Sequence, residues 1–144
     1  MSPGDMLAAI GHTTEHVRCF DGERNELMQG LAQRHAADMA ARRKQDHRGF
    51  SARFQAIQHA LHISAAEICA ESWDRQKDDS LDKIATEMYD CWRQSPGHWK
   101  IATTPAQFYG ASMAQGKNGI WYACVIAGGG SCLDIGCYFG PNQG

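Results

Sequence analysis

Seven histidines and six cysteines are distributed over 144 residues, and their spacing sets the chemistry open to the chain. His12-Thr13-Thr14-Glu15-His16 matches H-x-x-E-H, the inverted form of a zinc-protease motif, in which two imidazoles hold a metal beside a carboxylate base. On a helix His12 and His16 would share one face. Such a site also needs a third, distal ligand and a deep cleft. Three fixed letters in five recur by chance in a histidine-rich chain, so this segment reads as exposed helix or loop. His59 and His62 share a helical face and read as surface residues. Gly110-Ala111-Ser112-Met113-Ala114 has some letters of a nucleophile elbow, but an elbow requires a strand-to-helix turn and this segment reads as a strand entering a hairpin. Gly128-Gly129-Gly130 lacks the following helix and lysine of a phosphate-binding loop and reads as a turn.

The cysteines are Cys19, Cys69, Cys91, Cys124, Cys132 and Cys137, with neither C-x-x-C nor zinc-ribbon spacing. An even count at this density leans towards disulfides and an oxidising compartment; buried thiols acting as small apolar side chains are the alternative. At least two of the six are expected to be paired, with Cys132 and Cys137 the foremost candidates. Hydrophobic residues make up 43% and charged residues 21%, ordinary globular usage that excludes disorder, collagen and coiled coil. The net charge is −2 and the pI about 6.4, and the one basic cluster (Arg42, Arg43, Lys44, Arg48) falls at a helix end, so no nucleic-acid partner is expected. No apolar run approaches the roughly 20 residues of a membrane span, and Met1 to Ala9 lacks the basic-then-apolar order of a secretion signal.

These residues need elements to position them. Residues 5–18 suit a short helix, broken at Asp21-Gly22. Over 23–44, Leu27, Leu31, Ala32, Ala36, Met39 and Ala40 recur at helical spacing, with acids opening the run and bases closing it. Residues 50–62 read as another helix and 64–79 as a mixed, polar stretch. Leu81, Ile84, Ala85, Met88, Tyr89 and Trp92 mark a helix over 80–94, capped by Asp79 or Ser80 and terminated by Ser95-Pro96-Gly97. Strands at 108–114 and 120–127 flank the turn Gly116-Lys117-Asn118-Gly119 and form a hairpin. Helices precede strands instead of alternating with them, which predicts an α+β fold.

One segment is specific. Trp92-Arg93-Gln94-Ser95-Pro96-Gly97-His98 resembles the W-x-x-S-P-G-H signature of bacterial domains of the CAP superfamily, the cysteine-rich secretory, antigen-5 and pathogenesis-related-1 group. Phe108 to Ala114 and Trp121-Tyr122 resemble its last two strands. Arg34-His35-Ala36-Ala37-Asp38-Met39-Ala40 is similar to its long helix, His47 with Arg53 to the region after it, and Ala66-Glu67-Ile68 stands where the family has G-E-N. The resemblance implies an α-β-α sandwich with a small antiparallel sheet flanked by helices. It divides the chain into an N-terminal segment with a helix (1–22), a CAP-like domain (23–127) and a Gly- and Cys-containing tail (128–144) packed on or extending the domain.

The resemblance further implies a cleft formed by His47, Glu67 and His98, which are 20 and 31 residues apart in sequence. A divalent metal such as zinc would be held by the nitrogens of His47 and His98, with Glu67 as ligand or orienter. The family's second acid falls at Ser95, and Glu87, more than a turn earlier on the same helix, is a poor substitute. The expected function is a secreted, extracellular binding module, not an enzyme, that takes a small apolar ligand, a peptide or a partner protein. The alternatives are a metal-assisted hydrolase or peptidase using the same cleft, and a structural subunit, including a homo-oligomer, with a vestigial cleft.

Overall fold

The computed structural model describes residues 1–73 and 79–129, and the backbone of 137–139. Helix α1 (Pro3–Thr13) opens with Pro3 in its first turn, and the Ser2 side chain caps it by accepting from Asp5 N. The short strand β1 (Glu23–Arg24) leads through Asn25, whose side chain accepts from Met28 N, into α2 (Glu26–Arg42). Then follow α3 (Phe50–Leu61), β2 (Ala65–Glu71), α4 (Leu81–Arg93), α5 (Pro96–Ala102), β3 (Phe108–Gln115), β4 (Trp121–Gly128) and β5 (Cys137–Phe139).

The five strands form one sheet in the order β1-β3-β4-β2-β5. The hairpin of β3 and β4 forms as the Asn-Gly turn predicts, and β2 pairs antiparallel to β4. The sheet is not wholly antiparallel, however. β1 runs parallel to β3 and β5 parallel to β2, because each enters from a distant point in the chain and not through a tight turn. The fold is α+β, with helices on both faces. Ala66, Ile68, Ala70, Ala111, Met113, Ala123, Val125 and Ala127 turn one way, against α1, α4 and α5. Ala65, Cys69, Tyr122, Cys124 and Ile126 turn the other way, against α2 and α3. The alternation of side chains along each strand thus splits the apolar residues into two cores and gives three layers.

Two expectations need correction. The stretch 64–79, read as mixed and polar, contains β2. This strand is buried on both faces, so it lacks the alternation of a half-exposed strand. Ser95-Pro96-Gly97 does end α4, but Pro96 then opens α5, where its missing N–H costs nothing and its fixed φ suits the first helical position. His98 therefore stands on a helix and not on a loop.

Close packing of α2 on β3 depends on Gly110, where a Cβ would come within 2.3 Å of the Met28 carbonyl carbon. Next to it, Gln29 donates Nε2 to Ala111 O at 2.7 Å and accepts from Ala111 N at 2.9 Å.

Candidate functional site

Strand β2 turns Glu67 towards α2 and α3, where it has no exposed surface. A carboxylate so placed is costly unless it is paired and fully hydrogen-bonded. Arg53 on α3 supplies Nε to Oε1 at 2.7 Å and Nη2 to Oε2 at 2.8 Å. His47 brings Nδ1 to within 2.7 Å of Oε2, and His35 Nε2, from α2, lies 3.9 Å from the same oxygen.

The connection from α2 to α3 fixes these groups. Arg43 adopts the left-handed conformation (φ 56°) that ends α2. Arg42 Nη1 and Nη2 each lie 2.8 Å from an oxygen of Asp46, and Asp46 O accepts from His35 Nε2 at 2.8 Å. Gln45 reaches across to donate to Cys69 O at 2.9 Å. His47 is thereby held between two helices by its immediate neighbours in the chain.

Burial pushes the Glu67 carboxyl up, but the hydrogen bonds from His47 and Arg53, with the charge of Arg53, outweigh it and hold the group below its ordinary value. Burial lowers the His35 imidazole against the pull of Glu67, so it stays neutral more readily than a free histidine. The hydrogen bond from Arg42 brings Asp46 down to about 2.

A cleft of about 510 Å³ opens at the end of β2, beyond the stretch that β5 covers. Cys69, Ala70, Trp92 and Ile120 contribute apolar lining, and Gln45, Ser72, Ser95 and His98 polar lining. Trp92 Nε1 donates to Cys69 O at 2.9 Å and fixes one wall. Trp73, 69% exposed, stands at the cleft and gives its backbone N–H to Glu87 Oε1 at 2.8 Å. Glu71 also lines the cleft, with its carboxyl pushed up by burial, and brings an acid to the same cleft as Ser95.

Glu67 and His47 are thus in direct contact, whereas His98 stands on the cleft wall with Cys69. Cys69 joins the two, because its Sγ lies 3.8 Å from His47 Nδ1. His35, Arg53 and Cys69 complete the cluster although sequence reasoning named none of them as site residues. For His35 the signal was present: it falls on the face of α2 that carries Met28, Ala32, Ala36 and Met39.

The cluster fits a divalent ion poorly. Both oxygens of Glu67 are already engaged, and the Arg53 cation bonded to them disfavours a second cation there. His35, Glu67 and Cys69 do bring donor atoms within 4.8 Å of one another. Yet with its Nε2 proton on Asp46 O, His35 keeps a lone pair only at Nδ1, and it is Nε2 that lies near Glu67. A thiol–imidazole–carboxylate relay is not formed either. A relay uses the two opposite ring nitrogens, and here Cys69 and Glu67 both approach Nδ1 of His47. Burial also raises the Cys69 thiol well above its ordinary value, away from the reactive thiolate.

The H-x-x-E-H pattern makes no site. His12 lies in the last turn of α1, His16 is beyond the helix at φ 73°, and both are exposed. Cys19, Cys69, Cys91 and Cys124 carry free thiols, while Cys132 and the Cys137 side chain lie outside the described residues. Among the described residues no helix is long and apolar enough to cross a membrane. Compared with known proteins, the chain matches no protein-family model and no curated protein.

Proposed function

We propose that the chain is a CAP-type extracellular binding module that takes a small, largely apolar ligand, or the apolar side chain of a peptide or partner protein, into the cleft at the end of β2. The observation that carries this reading is the cleft itself. It has a ligand-sized volume of about 510 Å³ and a mixed lining, in which Ala70, Trp92 and Ile120 stand with polar residues such as Gln45, Ser95 and His98. His98 and Ser95 bring polar side chains to the cleft, and Trp73 brings an exposed apolar surface.

The buried cluster supports a binding role over a hydrolytic one. The Glu67 carboxylate is consumed by Arg53 and His47, so it is a poor base, and it serves to anchor β2 to the connection between α2 and α3.

The reading is tested by titrating the full chain with anilinonaphthalene sulfonate and with long-chain fatty acids, following probe and tryptophan fluorescence. Saturable binding is expected in the wild type and its loss in Cys91→Trp, which fills the cleft from α4. Equal binding by a folded Cys91→Trp protein would place the ligand elsewhere and sink the proposal.

A further inference from the structure

Strands β2 and β4 set two cysteines opposite one another, Cys69 facing Cys124 in the antiparallel register. Hydrogen bonds at both ends of the ladder fix its phase. Ser72 N donates to Trp121 O at one end, and Gly129 N donates to Ser64 O at the other. Hydrogen-bonded and non-hydrogen-bonded pairs alternate along such a ladder. Cys69 is three residues from Ser72 and five from Ser64, both odd steps, so each count makes Cys69–Cys124 a non-hydrogen-bonded pair. The Cys69 carbonyl agrees: it points away from β4 and accepts from Trp92 and Gln45.

In a pair of this kind the α-carbons approach to about 4.5 Å, within the ~4.4–6.8 Å that a disulfide spans. Both side chains point into the core beneath α2. The two thiols are free, and each perturbs the titration of the other. Cys69 is 1% exposed and lines the cleft, while Cys124 lies fully buried behind it.

We propose that Cys69 and Cys124 are an oxidisable pair that closes into a cross-strand disulfide at the cleft. The oxidant is hydrogen peroxide, a small neutral molecule, and Cys69 is the member of the pair that lines the cleft. The Cys69 sulfur, as its thiolate, attacks one peroxide oxygen and the O–O bond breaks. The departing hydroxide takes up a proton to become water and leaves a sulfenic acid on Cys69. The Cys124 sulfur then attacks the Cys69 sulfur. The S–O bond breaks, and the hydroxyl leaves with the Cys124 proton as a second water. Two thiols and one peroxide give one disulfide and two waters. Burial raises both thiols, so closure is slow, as befits a lasting modification and not a rapid sensor. The thiol proton that Cys69 offers to Glu67 Oε2, across 3.9 Å, is lost in the product. Oxidation thus alters both the cleft lining and the buried cluster.

The test uses the full-length, unmutated chain. Protein is incubated with hydrogen peroxide, quenched, unfolded, alkylated, and digested without reductant for mass spectrometry. Cys69 and Cys124 should lose alkylation together, and a cross-linked peptide pair containing both should appear and be abolished by dithiothreitol. The proposal is overturned if Cys69 advances to sulfinic acid while Cys124 remains alkylatable. It is equally overturned if either cysteine links to a different one, or if both stay alkylatable after the exposed thiols have been consumed.

Discussion

Arg53 holds Glu67 at two points, Nε on one carboxylate oxygen at 2.7 Å and Nη2 on the other at 2.8 Å. The pair ties α3 to the interior of the sheet, and neither side chain has much contact with water, at 11% and 0% exposure. Arg53→Met should cost about 3–5 kcal/mol, because it strands a charge in the core. The double variant Arg53→Met, Glu67→Leu should recover much of that loss. Urea unfolding of the two proteins tests this, and a double variant no more stable than the single one would contradict it.

Acid should weaken the fold in two stages. His35 has a folded pKa below the ordinary 6.5, so the unfolded chain takes up its proton first as pH falls. Stability therefore declines from about pH 6.5 downwards until the folded state also binds the proton. Glu67 is held below its ordinary 4.5, so its contribution is present above that pH and is lost as pH falls through the folded value. His35→Gln keeps a donor for Asp46 O without the titration. Its urea midpoint should stay flat between pH 6.5 and 5, where that of the wild type falls.

Zinc titrated into metal-free protein at pH 7.5 should show no tight stoichiometric binding, because Arg53 and His47 already engage both oxygens of Glu67. Calorimetry decides the point. Stoichiometric binding that disappears in His98→Ala and at pH 5 would instead assign a metal to the histidines.

Gly110→Ala should destabilise by about 1–3 kcal/mol or more, as overpacked cores do. The new methyl group would meet the backbone of Met28 on α2, which cannot rotate out of the way as a side chain can. An unchanged thermal midpoint would show that α2 shifts freely over β3.

Much of this was legible in the sequence. The hairpin announced itself through Asn118-Gly119, and α2 and α4 through their apolar periodicity. Glu67 and His47 were paired by family resemblance and do meet. Arg53 escaped as the partner of Glu67 because a basic residue on a short surface helix carries no sign that it reaches inward to a strand. Cys69 escaped because its importance depends on register: only the pairing of β2 with β4 sets it against Cys124, and β2 itself lacked a strand pattern. The mixed sheet was hidden for the same reason, since β1 and β5 join through long-range pairing that no local signal records.

The amide of Gln29 has a consequence for how this molecule meets its own copies. β1 covers only Phe108 and Tyr109 of β3, so the next outward-facing backbone groups, those of Ala111, have no strand beside them. Gln29 takes both the N–H and the C=O of Ala111, acting as a one-residue imitation of a neighbouring strand. An uncovered flank of this kind is a template for intermolecular strand addition and aggregation. By filling it from a helix of the same chain, the molecule guards its own sheet against recruitment by another.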